Sequence, residues 1–287
     1  MSYDLFLKPD SDTLSQDQFT GWFESRPHYT VQNLQAWYEN QDTGVYFSFD
    51  YDPEEGGSVA FSMNYFRPHV FGLEAAPEVA AFIEAFGLSI DDPQMDGMGQ
   101  GPFSEEGFVK GWNCGNRFGY QSILRTQDRA GMPVRSTAEI EQIWRWNRHR
   151  STLQDAVGDA MFVPRIMLMQ ATGSVITVAV WPDGCPVMLP QVDRVIVLRE
   201  QLAVNPRTSD DEEPEATLVE WLRLAEVVES YPCDPEHGCY CLDYEESPPA
   251  LQRLIRSLPI DTPDRDRFLA PDSVLNAELV AEFRPPE

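Results

Sequence analysis

Forty-seven acidic residues stand against twenty-one basic ones in this chain, a formal charge of −26. An excess of that size constrains the fold directly. Nearly every carboxylate must face water or find a donor, so the interior has to be assembled from what remains. What remains is ample: 42% of the residues are hydrophobic and 11% are aromatic. Disordered acidic chains lack those aromatics, so the composition describes a folded protein with a strongly negative exterior. Such an exterior repels nucleic acid and anionic membranes and steers basic proteins toward it. With 287 residues there is room for two domains.

The hydrophobic pattern predicts an α+β fold of two domains, each a mainly antiparallel sheet packed with helices. Tyr3 to Leu7 reads as a strand, and Ser15 caps a short helix whose Phe19, Trp22 and Phe23 share one face. Val31–Tyr38, Val45–Tyr51 and Ser58–Phe66 read as strands joined by polar turns, the second turn being Asp52-Pro-Glu-Glu-Gly-Gly57. A helix is expected from Glu78 to Phe86, with Pro77 at its first turn and Gly87 ending it. The first domain therefore covers residues 1–90. Asp91 to Gly101 has linker composition, so a linker is placed at 91–103 and a second domain at 104–287.

Ser104 opens a helix toward Arg125 that carries Gly107, Gly111, Gly115 and Gly119 in one register. Each helical glycine costs about 1 kcal/mol relative to alanine, so the stripe predicts close intramolecular packing against it. A helix from Thr137 to Arg150 follows, then strands at Phe162–Met169, Ser174–Trp181, Val187–Leu189 and Val192–Leu198 in a second antiparallel sheet. Thr217–Val228 reads as an amphipathic helix, Leu251–Leu258 as a shorter one, and the tail as a loose proline-rich end.

No G-x-S-x-G, H-E-x-x-H or P-loop sequence occurs, and no cofactor is expected. Cys233-x3-His237-x-Cys239-x-Cys241 offers metal ligands, though C-x-C is tighter than a zinc knuckle and no second pair accompanies it. Loop thiols are the favoured reading, with a metal-stabilised scaffold as the alternative. Arg-Pro-His occurs at Arg26–His28 and at Arg67–His69. Strand-ending loops explain both, while an enzyme using His28, His69 and nearby carboxylates is the competing possibility. Trp144-Arg-Trp-Asn-Arg-His-Arg150 has the composition of a stacking surface for nucleic acid. The stretch from Arg117 to Arg165 carries only +3, however, leaving −29 on the remainder. It is read as an internal ion-pair partner, and no nucleic acid is expected.

Acidic runs occur at Asp50, Asp52, Glu54 and Glu55; at Asp91, Asp92 and Asp96; from Ser209 to Glu215; and at Asp243, Glu245 and Glu246. None has the order of a calcium loop. The first two runs are the candidate contacts for a basic protein partner, the first because a hairpin tip projects and can enter a cleft. Five cysteines without framework spacing fit a reducing cytoplasm. No basic-then-apolar leader opens the sequence and no run is long enough to span a bilayer, so neither a secretory signal nor a membrane association is expected.

Ser2-Tyr-Asp-Leu-Phe-Leu-Lys8, Arg26-Pro-His-Tyr29, Tyr46-Phe-Ser-Phe49, Asn64-Tyr-Phe-Arg-Pro-His69, the helix at Gly107–Gly119 and Val180-Trp-Pro-Asp-Gly184 together resemble a bacterial family of immunity proteins. Such proteins are encoded beside polymorphic toxins, including type VI secretion effectors. The resemblance implies a cytoplasmic, non-catalytic inhibitor that neutralises a cognate toxin, for instance a nuclease, by binding and occluding it.

Overall fold

A computed structural model of the chain describes residues 1–9, 13–125, 131–205 and 214–283. In chain order the first elements are β1 (Ser2–Pro9), α1 (Gln16–Glu24), β2 (Tyr29–Gln32), β3 (Gln35–Glu39), β4 (Tyr46–Asp52), β5 (Ser58–Asn64), α2 (Val70–Phe86), β6 (Leu88–Asp91), β7 (Gln100–Gly101), α3 (Glu105–Leu124), β8 (Val134–Arg135) and α4 (Thr137–Val157). There follow β9 (Met167–Ala171), β10 (Ser174–Pro182), β11 (Val187–Pro190), β12 (Arg194–Arg199), β13 (Glu215–Glu220), α5 (Trp221–Val228), β14 (Cys233–Asp234), β15 (Cys239–Leu242), α6 (Pro249–Ser257), β16 (Phe268–Leu269), β17 (Leu275–Asn276) and α7 (Ala277–Glu282). The fold is α+β with mostly antiparallel sheets, as the pattern predicts.

Two compact units divide the chain: Met1–Glu141 with Pro271–Glu287, and Gln142–Ala270. This differs from a boundary at 91–103. The first unit is a seven-stranded sheet in the order β2-β3-β4-β5-β1-β6-β7, antiparallel at every step. One face of it carries Tyr3, Leu5, Leu7, Phe47, Phe49, Tyr51, Val59, Phe61 and Met63, all buried with Phe19, Phe23 and Phe82 from α1 and α2. Their rings meet mostly edge-on or tilted, as Phe23 does with Phe82 at 4.9 Å and Phe49 with Phe61 at 5.4 Å. Burying each phenylalanine contributes about 1.5–3 kcal/mol, which makes this face the thermodynamic centre of the unit.

Several elements begin where the sequence places them. Ser15 and Gln18 form a reciprocal capping box at the start of α1, and the Ser104 hydroxyl accepts from the Gly107 amide at the start of α3. Others differ for identifiable reasons. Val31–Tyr38 is not one strand: Asn33, with φ +58°, turns the chain so that β2 and β3 form a hairpin. Helix α2 begins at Val70 rather than beside Pro77, which lies inside it. Val70, Phe71, Gly72, Glu74, Ala75 and Ala76 are all buried, so that stretch has no polar face to mark it as helix.

The segment expected to be a linker is packed structure. Asp91 pairs with Gln100, and Asp92 is only 1% exposed. A Cβ on Gly97 would overlap the Gly107 carbonyl and stand 2.9 Å from the Gly111 Cα. The glycine stripe thus packs as predicted, taking backbone at Gly97, the Met98 side chain at Gly107, Tyr3 at Gly111 and Tyr65 at Gly115 and Gly119. Glycine here provides close approach rather than slack.

The second unit contains a five-stranded sheet, β13-β12-β10-β9-β16, and a three-stranded one, β11-β15-β14. Strands β10 and β12 are parallel because β11 leaves the sheet between them to pair with β15, so this sheet is mixed. Residues Glu215–Glu220 are a strand, and the expected helix begins only at Trp221. The tail belongs to the first unit and is folded through Phe283, with β17 pairing with β8 inside that unit. Arg199, fully buried, donates to Thr217 Oγ1 at 2.8 Å and to the Leu258 carbonyl at 2.9 Å, and stands 3.6 Å from Glu215. Among the described residues no helix is long and apolar enough to cross a membrane.

Candidate docking face

The second face of the seven-stranded sheet carries no core. Its register aligns one side chain from every strand in a single row: Gln32, Gln35, Asp50, Ala60, Phe6, Asp91 and Gln100. The adjacent row is Thr30, Trp37, Ser48, Ser62 and Asp4. Strand spacing puts Asp50 and Asp91 about 14 Å apart, with Phe6 between them. Asp52 and Lys8 lie on the same face beyond the long row. Phe6 is 42% and Trp37 39% exposed, Phe6 directly beside Asp91 and Trp37 beside Ser48.

These carboxylates are oriented chiefly by neutral donors. Gln35 Nε2 donates to Asp50 at 2.7 Å and Ser48 Oγ at 3.2 Å. Ser2 Oγ and Ser62 Oγ each donate to Asp4 at 2.8 Å. Amide and hydroxyl donors fix the rotamer without cancelling the charge, so the negative potential stays aimed outward. Asp91 differs, with Gln100 Nε2 at 3.3 Å and the Lys8 ammonium at 3.5 Å, an exposed pair of small worth. Trp37 stacks on Tyr46 at 6.0 Å, and Tyr46 in turn accepts from Arg67 Nε at 2.8 Å. The Tyr46 ring, held by Arg67, thus supports one side of the indole.

Of the sequence-derived contacts, Asp50, Asp52 and Asp91 share this face. Glu54 and Glu55 lie in the turn past its end, where Asp52 accepts from both of their amides, at 2.8 and 3.2 Å. Asp96 is exposed on the loop between β6 and β7. Asp92 is a correction: it points inward, accepting from the Tyr3 hydroxyl at 3.4 Å and from the Gln94 amide at 3.1 Å, because the loop closes around its carboxylate. Residues 209–213 of the third acidic run lie outside the described residues; Glu215 accepts from the Val204 and Asn205 amides. Asp4, Phe6 and Trp37 were not singled out from the sequence. The signal available was strand alternation: with Tyr3, Leu5 and Leu7 inward, Asp4 and Phe6 must face out.

The remaining constellations are built into their surroundings. His28, with φ +69°, is exposed and lies edge-on to Tyr38 at 5.7 Å. His69 belongs to a different cluster with Asn276 and Glu141. The preceding arginines are structural: Arg26 pairs with Glu78 at 2.9 Å and covers Trp22, and Arg67 holds Tyr46. Buried Glu74 accepts from Tyr38, Asn40 and Thr43 at 2.7, 2.7 and 3.0 Å, tying the β3–β4 turn to α2.

In the second unit, Trp146 donates to the Pro164 carbonyl and Asn147 to that of Ile166, so this part of α4 faces inward. His237 contacts Asp234 at 2.7 Å, and burial pushes the Cys239 thiol up to about 12. Among the described residues no three His, Cys, Asp or Glu side chains are grouped to hold a metal ion. A cavity of about 560 Å³ is lined by Gln154, Asp155, Asp159, Phe162 and Cys185. Burial, aided by Asp183, pushes the Cys185 thiol up to about 11, so the cavity holds a thiol rather than a nucleophilic thiolate. No family model, curated protein or solved structure matches this chain.

Proposed function

We propose that this chain is an immunity-type inhibitor that captures a basic protein, a cognate toxin domain, on the open face of its seven-stranded sheet. The observation that carries this reading is the register row that aligns Asp50, Phe6 and Asp91, with Trp37 and Asp4 beside it. Oriented carboxylates steer and align cationic groups, and exposed aromatics supply the desolvated contacts that slow dissociation. The charge of −26 extends the steering field well beyond the face itself. The compartment that suits this role is a reducing cytoplasm, where the five free cysteines stay thiols.

Side-chain footprinting by hydroxyl radicals, with any basic protein that an adjacent gene is found to encode, tests the reading. Addition of that protein is expected to protect Phe6 and Trp37. Protection confined to the second unit would overturn it.

A further inference from the structure

The tail residue Asn276 is fully buried and forms a directional chain of hydrogen bonds. Its Oδ1 accepts from the His69 amide at 3.0 Å. That amide can only donate, so the orientation of the Asn276 side chain is fixed and its Nδ2 must donate elsewhere. One N–H points at His69 Nδ1, 2.8 Å away, and the other at Thr137 Oγ1, 3.0 Å away. Thr137 Oγ1 passes the polarity on by donating to Glu278 at 2.8 Å. His69 Nδ1 is therefore an acceptor, and its proton sits on Nε2, a buried atom without a hydrogen-bond partner and 3.6 Å from Glu141.

We propose that His69 and Asn276 form a pH-sensitive latch that docks the tail segment 271–283 only while the imidazole is neutral. Protonation would place an N–H at Nδ1 against the Asn276 N–H at hydrogen-bond distance. Rotating the amide by 180° would relieve that clash but turn its NH₂ onto the His69 amide, so no orientation satisfies the charged form. The latch holds a defined set of contacts. Leu275 and Asn276 pair with Val134 and Arg135 on β8, the Leu275 amide donates to the Pro133 carbonyl, and that of Asn276 donates to the Tyr120 hydroxyl. Leu275 is buried with Tyr120 and Leu124 of α3, and Leu279, Val280 and Phe283 pack against them.

The charged groups around His69 act in both directions. Burial disfavours the imidazolium and holds His69 below its ordinary value, against Glu141 on α4 and Glu278 on α7, which favour it. On the neighbouring elements, Tyr120 of α3 stays protonated, and Arg67, two residues upstream, is 3.6 Å from Asp272. An undocked imidazole takes up its proton near pH 6.5, the docked one only at lower pH. The docking constant is thus full above pH 6.5 and falls, by up to about tenfold per pH unit, as the pH drops toward the docked value.

Hydrogen exchange on the full chain tests the latch, with protection corrected for intrinsic exchange. Between pH 7.5 and 5.5, protection of 271–283 is expected to fall at least about threefold while that of β4 and β5 holds. His69→Asn keeps an acceptor near the Nδ1 position without a titrating ring, and its protection should be flat with pH. A tail whose protection does not change in the wild type, or a His69→Asn variant that keeps the wild-type pH dependence, would overturn the proposal. Imidazole nitrogen NMR of the wild type provides a check that needs no variant: the Nε2–H tautomer supports the latch and the Nδ1–H tautomer rules it out. Neither experiment requires the binding partner, so the latch and the inhibitor reading fail separately.

Discussion

Two segments of this molecule have nearly the same composition and opposite fates. Asp52-Pro-Glu-Glu-Gly56 is a solvated hairpin tip, in which Asp52 caps its own turn and Gly56 has open space around it, before buried Gly57 closes on the Leu14 backbone. Asp91 to Gly101 also carries aspartates, glycines and a proline, yet it buries Asp92 and lays Gly97 on the glycine stripe of α3. The difference lies in what each segment faces. A glycine opposite water lends conformational freedom, whereas a glycine opposite another glycine lets two backbones touch. A carboxylate near the Tyr3 hydroxyl and two loop amides becomes part of the interior.

The largest effect that sharpens this contrast is expected at Gly97. Gly97→Ala should destabilise the first unit by about 3 kcal/mol, because its Cβ meets backbone that cannot move aside. Gly56→Ala, in open space with φ +70°, should cost about 1 kcal/mol from backbone strain alone. Urea denaturation of both variants checks the pair, and equal losses would break the comparison. The carboxylates should differ next. Asp92→Ala strands buried donors and is expected to cost about 2 kcal/mol, against about 0.5 kcal/mol for Asp52→Ala in its exposed turn. The same denaturation experiment reads both.

The sequence made visible what local patterns can encode. The capped starts of α1 and α3, the strands β1 and β5, the alternation of β4, and the packing role of Gly107 to Gly119 were all legible. What it hid depends on contacts between distant residues. A buried helix half such as Val70–Ala76 shows no period, and Asp91–Gly101 looks like a linker until the partner stripe on α3 is known. The return of β17 to β8 joins residues about 140 positions apart in sequence, with no local mark. The candidate docking face was half legible. Asp50, Asp52 and Asp91 stood out by charge, but their alignment with Phe6 and Trp37 exists only in the register of seven strands.

The central claim is that this open face, and no other part of the acidic surface, receives the basic partner. The most direct measurement is the association rate of that partner with an Asp50→Lys, Asp91→Lys double variant over a range of salt concentrations. The face predicts association slowed by at least about tenfold at low salt and a flattened salt dependence, while reversing Asp243 and Glu245 in the second unit has little effect. Equal slowing by both pairs would mean that diffuse charge alone steers the encounter, and would contradict a dedicated docking face.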